Sequence, residues 1–147
     1  MPSVKNVIVD DRLLIEELLV GLRKPRRQGV LHTTGCWYYR ACRAAVAGAG
    51  GHLSGPFERV ASAEQDRAIL SLLELRDDIG LPHPRKIVPV MAEIAVRHPR
   101  LNLLNVEAVA SGVALSAMVW LSAQSAEGVL PAVLEAEGVA WAAVTIS

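Results

Sequence analysis

Two adjacent aspartates near the start of the chain are the residues best placed to do chemistry. Asp10 and Asp11 follow the apolar run at residues 7–9 and precede an apolar helical pattern. A first strand that delivers a carboxylate at its C-terminal end is how many open α/β sheets begin an active site. The aspartate pair therefore marks the sheet edge at which we expect the functional site.

Two later segments are predicted to reach the same edge. A late helix carries Asn105 and Glu107 near its start, and a third strand ends close to Ser122 and Gln124. In a parallel sheet, catalytic groups gather at the C-terminal ends of the strands. We therefore expect these four side chains to meet Asp10 there.

Strands and helices alternate along the chain in a way that can build such an edge. Short β-branched runs predict strands, and apolar residues at spacings of three and four predict helices. The predicted strands are residues 4–9, 30–33, 117–122 and 139–146. The predicted helices are residues 12–22, 36–47, 63–76, 85–97 and 103–115, followed by a helix that Ser125 caps and that runs to Glu137. This alternation predicts an α/β fold, a three-layer α/β/α sandwich with a mostly parallel sheet.

Length, composition and charge limit the class of protein. The chain has 147 residues, 52% of them hydrophobic and only 4% aromatic, which favours one domain with a core of Ala, Val and Leu. Lys and Arg total 15, as do Asp and Glu, so no global field argues for nucleic acid. The start of the chain lacks the apolar run of a signal peptide, and the uncharged stretch at 108–126 is too polar for a membrane span. We therefore expect a cytoplasmic protein with no membrane partner.

The cysteines and histidines do not form a metal or redox motif. Cys36 and Cys42 are six positions apart, a spacing that fits neither a redox pair nor a zinc site. They are expected to be small buried residues, and the four histidines lie in separate segments. Carboxylates and amides are therefore the groups on which a site must be built.

The order and spacing of several segments resemble PIN-like domains, the fold of many small toxin ribonucleases. The similar segments are VIVDDRLLI (7–15), NVEAVA (105–110), VWLSAQ (119–124) and LPAVLEAEGV (130–139). They resemble in turn the family's first strand with its aspartate, its acidic alanine-rich helix, its late strand ending in Thr or Ser before an acid, and its last helix and strand. Residues 48–100 match by element order alone. The resemblance implies a single PIN-like domain over residues 1–147.

The resemblance also implies metal-dependent chemistry at the predicted edge. PIN-like ribonucleases hold Mg²⁺ or Mn²⁺ with three or four clustered carboxylates, and the ion activates a water for in-line attack on an RNA phosphodiester. Carried onto this chain, the metal ligands are Asp10, Asn105 and Glu107. The catalytic residues are Asp10, Glu107 and Glu93.

This chain departs from the family's acidic pattern, which leaves more than one function open. Asn105 and Gln124 stand at the third and fourth acidic positions, and neutral amide oxygens bind a dication more weakly than carboxylates do. The predicted helix at 36–47, where the family has an acid, offers none, and Glu64, Asp66 or Glu93 can substitute for it.

The first hypothesis is a toxin-type, Mg²⁺- or Mn²⁺-dependent endoribonuclease. The second is a catalytically impaired PIN-like domain that acts as a protein-interaction module, and a third is a small-ligand site in an unrelated α/β domain. The resemblance implies a homodimer and a cognate antitoxin-like partner.

Each candidate acid also has a structural explanation. Asp10 can cap the helix that follows it, and Asp11 is expected to be a solvated turn residue. Glu107 suits the first turn of its own helix, where the helix dipole favours an acid. Glu93 lies in the middle of a helix and suits a solvated face.

A basic cluster suggests RNA as a partner. The basic residues that can contact phosphates are Arg23, Lys24, Arg26, Arg27, Arg40 and Arg43. Such clusters hold phosphates, and the aromatic residues at 37–39 can stack on bases. The alternative is a solvated loop next to aromatics that pack into the core. Because residues 23–27 follow the first helix and precede the second strand, we expect them at the edge opposite Asp10, which counts against one RNA site that uses both.

Overall fold

Four parallel strands form one sheet in a computed structural model that describes residues 5–22, 29–47 and 62–145. The strands are β1 (Lys5–Val9), β2 (Gly29–His32), β3 (Met118–Leu121) and β4 (Trp141–Ala143), in the spatial order β2-β1-β3-β4. The helices of the described residues are α1 (Asp11–Leu19), α2 (Gly35–Val46), α3 (Ser62–Glu74), α4 (Pro84–Arg97), α5 (Leu103–Leu115), α6 (Ala123–Ala126) and α7 (Leu130–Ala136).

The central strands send alternate side chains into two separate cores, because successive residues of a strand face opposite sides of the sheet. Val7 and Val9 of β1 belong to the core that α1, α2 and α3 help to form. Ile8 of β1 and Val119 of β3 belong to the second core, to which α4, α5 and α7 contribute. The fold is therefore the predicted three-layer α/β/α sandwich, and its sheet is parallel throughout.

The strand order creates a crevice next to β1. The chain leaves β1 to form β2 on one side and later forms β3 on the other side. Open α/β sheets bind ligands at such a switch point, outside the carboxyl ends of the strands. Asp10 directly follows β1 and Ser122 directly follows β3, so both residues lie at this point.

A single glycine fixes the outer side of β2. Gly80 donates its N–H to the carbonyl of Leu31 and accepts the N–H of Thr33, at 2.8 and 3.0 Å. A Cβ at position 80 would overlap the imidazole ring of His32, so only glycine fits against this strand. This contact anchors the connection between α3 and α4 at the sheet.

Several predicted boundaries differ from the structure. The last predicted helix is two helices, α6 and α7, separated by residues 127–129, and the predicted cap Ser125 lies inside α6. Pro131 lies in the first turn of α7, where the lack of an amide hydrogen costs little, so it starts a new helix. The first helix ends at Leu19 rather than at residue 22. None of the described helices has the length and apolar character that a membrane crossing requires.

Candidate functional site

Asp10 is completely buried at the junction of β1, β3 and α1. Its Oδ1 accepts the backbone N–H of Leu13 at 2.9 Å, which caps α1. Its Oδ2 accepts both the backbone N–H and the hydroxyl of Ser122, at 2.8 and 2.6 Å. A buried carboxylate requires such compensation, and the N-terminus of α1 adds a favourable dipole. The capping explanation is confirmed, and the carboxylate also ties the end of β3 to the end of β1.

Asp11 is buried as well, and the expectation of a solvated turn residue is wrong. It is the first residue of α1, where an acidic side chain is favoured by the helix dipole. Its Oδ1 accepts the N–H of Arg12 at 2.9 Å, and its Oδ2 lies 3.2 Å from Nε of Arg40 on α2. The second aspartate is therefore held by a cation from a neighbouring helix.

Glu107 reaches from α5 to the N-terminus of α2. Its Oε1 accepts the backbone N–H of Cys36 at 2.7 Å, next to the N-cap Thr34, which accepts the N–H of Trp37 at 3.1 Å. A Cβ at Gly35 would lie 3.3 Å from Oε2 of Glu107, so the glycine leaves room for the carboxylate. The explanation that Glu107 is a first-turn acid of its own helix is wrong, because its carboxylate lies at the N-terminus of α2 and is favoured by the dipole of that helix.

The same carboxylate contributes to the raised pKa of the neighbouring thiol. Burial, together with the hydrogen bond and the negative charge of Glu107, raises the pKa of Cys36 to about 11. Burial also raises the pKa of the Cys42 thiol. Both cysteines are free and partly buried, so at neutral pH they are uncharged thiols, which are poor nucleophiles and poor metal ligands.

A cleft of about 440 Å³ opens at this edge of the sheet. Its polar wall is formed by side chains that follow β1 and β3 and by side chains of α2 and α5, namely Asp11, Arg12, Arg40, Asn102, Asn105, Gln124 and Ser125. Its apolar wall consists of Trp37, Leu104, Val129 and Leu130. The structure thus brings the predicted residues Asn105 and Gln124 together, while Asp10 and Glu107 lie outside the lining.

The other predicted site residues lie away from the cleft or outside the described chain. Glu93 is exposed on α4, where its charge acts on Arg97, and Arg43 is exposed in the last turn of α2. The cluster at 23–27, with Arg23, Lys24, Arg26 and Arg27, falls outside the described residues, as do the side chains of Glu64 and Asp66.

Two cleft residues escaped the sequence analysis. Arg12 follows the aspartate pair directly and so lies at the same sheet edge, a position that the strand pattern alone indicates. Asn102 caps α5 by accepting the N–H of Asn105 at 2.9 Å, and an asparagine three positions before a polar helical residue is a recognisable cap signal. Both residues add hydrogen-bond donors to the cleft.

The donor set of the cleft does not fit a hard divalent cation. Among the described residues, no three His, Cys, Asp or Glu side chains are grouped so that they can hold a metal ion. The carboxylate in the lining, Asp11, is paired with Arg40, and the remaining oxygen ligands are neutral amides and a hydroxyl. Mg²⁺ and Mn²⁺ prefer anionic oxygens. The carboxylates at this edge, those of Asp10, Asp11 and Glu107, already accept hydrogen bonds from protein donors.

No protein-family model matches the chain, and no curated protein is significantly similar to it. The relation to PIN-like domains is therefore a hypothesis that rests on the similar segments of the sequence.

Proposed function

We propose that the chain is a catalytically impaired PIN-like domain that acts as a protein-interaction module. The observation that carries this proposal is the state of Asp10, whose two oxygens accept three hydrogen bonds from Leu13 and Ser122 inside the protein. A carboxylate that joins a helix to two strands in this way has a structural role. The cleft beside it offers a partner two arginines and three amides.

A titration with Mn²⁺, followed by calorimetry, tests this proposal. We expect the wild-type protein to bind Mn²⁺ no more tightly than the millimolar range, because each carboxylate at the edge is already compensated. The variant Asp10→Asn keeps the shape of the side chain, and Glu74→Gln removes the same charge from an exposed position on α3.

Micromolar binding by the wild type that is lost in Asp10→Asn and kept in Glu74→Gln would overturn the proposal. Binding that survives in both variants would place the ion away from Asp10 and leave the proposal standing.

A metal-dependent endoribonuclease is the second candidate function. It is favoured by the position of Asp10 and Asp11 directly after β1, at the carboxyl edge of the sheet where catalytic groups of parallel sheets lie. The same Mn²⁺ titration decides between the two candidates, because metal-dependent hydrolysis requires an ion at Asp10.

A homodimer belongs to the same proposal. Val88 and Val96 lie two turns apart on α4 and are 56% and 81% exposed, which gives one side of this helix an apolar surface. Light scattering coupled to size-exclusion chromatography tests the dimer, and Val96→Glu is the variant expected to convert it to a monomer.

A further inference from the structure

We infer that the outer edge of β4 binds an extended, uncharged peptide segment of a partner protein, which adds a further strand to the sheet. The inference rests on the proposed interaction module and names the chemistry of its partner. The groups that would recognise the segment are the backbone N–H and carbonyl groups of Trp141 and Ala143.

The register of β4 leaves these four groups pointing away from the sheet. The carbonyl of Ala140 accepts a backbone N–H of β3 at 2.9 Å, and the N–H of Val144 donates to a carbonyl of β3 at 2.8 Å. Successive residues of a strand direct their backbone groups to opposite sides, so those of Trp141 and Ala143 face away from β3. No hydrogen bond between described residues engages these four groups.

The two edges of the sheet differ in how they are covered. On the outer side of β2, Gly80 exchanges backbone hydrogen bonds with Leu31 and Thr33 and so occupies the groups that a partner strand would need there. Among the described residues, nothing pairs with the outer side of β4 in the same way. A sheet edge with unpaired backbone groups is a template for another strand. The β4 edge is therefore the place at which the sheet can be extended.

The sequence around β4 lacks the features that usually protect an edge. Native edges commonly carry Lys or Pro, and residues 138–147 contain neither a charge nor a proline. The methyl side chain of Ala143 is exposed and too small to shield the backbone beside it. Trp141 packs against the second core, and its indole N–H donates to Glu135 of α7 at 3.0 Å, so the large ring lies on a face of the sheet.

These properties determine the chemistry of the partner. Only an extended backbone presents N–H and carbonyl groups at the spacing of Trp141 and Ala143, and strand addition to a sheet edge uses such main-chain bonds. Because residues 138–147 offer no charge for an ion pair, an uncharged segment loses least when it leaves water.

The short length of β4 favours a peptide over a second copy of the chain. β4 has three residues, so two copies paired about a twofold axis would share about four backbone hydrogen bonds. A stable dimer buries about 800 Å² on each partner, which is more than a three-residue edge supplies. A peptide segment can bind with a smaller contact area as a weak, transient partner.

The test titrates two peptides of about seven residues, blocked at both ends, into ¹⁵N-labelled protein in the presence of a chelator. One peptide alternates Val and Thr, the other alternates Ile and Ser, and each carries a short polyethylene glycol tail for solubility. We expect the amide signals of Trp141 and Ala143 to shift, and hydrogen exchange at these amides to slow at least about fivefold at saturation.

Matched peptides test whether backbone hydrogen bonds carry the binding. Twins that are N-methylated at every residue keep the side chains but donate no backbone hydrogen bond. We expect them to bind at least about tenfold more weakly than the parent peptides.

Two variants connect the binding to the β4 edge. Ala143→Lys introduces the side chain that commonly protects edges, and Ala143→Pro removes one of the two outward backbone donors; each should weaken binding at least about fivefold. Ala47→Lys adds the same charge at the exposed C-cap of α2 and is the matched control. Thermal unfolding checks that each variant is folded.

No shift at Trp141 and Ala143 at about 1 mM peptide, equal binding of the N-methylated twins, or equal losses in Ala143→Lys and Ala47→Lys would each overturn the inference. Slow exchange of both amides in dilute protein without peptide would also overturn it, because the edge would already be covered. Exchange that slows with protein concentration alone would overturn the choice of a peptide and assign the edge to a second copy. These results leave the proposed loss of catalysis intact, because that proposal fails only if Mn²⁺ binds at Asp10.

Discussion

A cleft lies at each end of β1 and β3, and acids near the two ends are held in different ways. The cleft described above lies where β1 and β3 end, and Asn102, the N-cap of α5, lies beside it. A second cleft, of about 610 Å³, lies where β1 and β3 begin, and is lined by Lys5 and Asn6 together with the last residues of α5. Because α5 runs antiparallel to the strands, its positive end faces the first cleft and its negative end faces the second.

Two acids at the first end are held mainly by backbone donors, whereas Asp11 at the same end also pairs with Arg40. Asp10 and Glu107 accept N–H groups of Leu13, Ser122 and Cys36 at helix and strand termini. Those donors belong to the backbone at the ends of helices and strands, and buried groups of this kind are almost always paired. An acid held in this way is part of the framework of the fold.

The acid at the second end is held by side-chain cations. Glu137 lies at the C-terminal end of α7 and lines the second cleft, where its own helix dipole is unfavourable. Its carboxylate accepts N–H groups from Nε and Nη2 of Arg97, at 3.0 and 2.8 Å, and lies 2.8 Å from Nε2 of His98. Because the Arg97 side chain is half exposed, salt weakens this ion pair, and pairs with an exposed partner contribute little to stability. The two ends should therefore respond very differently to loss of an acid.

The largest effect is expected from Asp10→Ala. The change leaves the Leu13 N–H and the Ser122 N–H and hydroxyl buried without their acceptor. We expect the free energy of unfolding to fall by about 3–5 kcal/mol, measured by urea denaturation. Asp77→Ala, at an exposed turn, is expected to change it by less than about 0.5 kcal/mol. Similar losses of stability in the two variants would contradict the conclusion that Asp10 is part of the framework of the fold.

An intermediate effect is expected from Glu107→Ala. Loss of the bond to the Cys36 N–H removes part of the cap of α2, which should cost about 1 kcal/mol. Removal of the negative charge should also lower the pKa of the Cys36 thiol from about 11, so that more thiolate is present at pH 8. The rate of alkylation by iodoacetamide, measured in a Cys42→Ala background, should therefore rise. An unchanged rate would show that burial alone sets this pKa.

The smallest effect is expected from Glu137→Gln, and it depends on pH. Arg97 and His98 lower the pKa of Glu137 from 4.5 to about 2. A carboxyl group with a lowered pKa in the folded state contributes stability above its ordinary pKa and loses it as the pH falls towards the folded value. The wild type should therefore lose more thermal stability than Glu137→Gln between about pH 5 and pH 2, and high salt should reduce the difference.

The control for this measurement is Glu127→Gln, which removes an acid from an exposed position. A pH profile of Glu137→Gln that overlays the profile of the wild type would contradict the prediction.

The local sequence pattern is enough to predict most helices and strands and one part of the site, the cap that Asp10 forms on α1. The apolar run before Asp10 and the helical pattern after it predict both β1 and the cap of α1, because both depend on neighbours within a few residues. The strand order follows from parallel packing only in part, since the pattern does not say on which side of β1 each later strand lies.

The rest of the site depends on contacts between residues far apart in the chain. Asp11 pairs with Arg40 of α2, and Glu107 accepts the N–H of Cys36, which lies 71 positions earlier. No local spacing in the sequence encodes either pair. Without knowledge of the partner, an acidic residue is expected at the surface. For α6 and α7 the local signal is present but the wider pattern hides it. The apolar pattern continues across the break and predicts one helix, although Pro131 marks the start of a second.

Trp37 has an optical consequence for the polar cleft. Its indole is buried in the core and at the same time forms part of the cleft wall, next to Leu104 and Leu130. A ligand that displaces water from this wall changes the polarity around the ring, and the emission wavelength of the indole depends on that polarity. Trp120 and Trp141 lie outside the lining and supply a constant background. The chain therefore carries its own fluorescent reporter of occupancy.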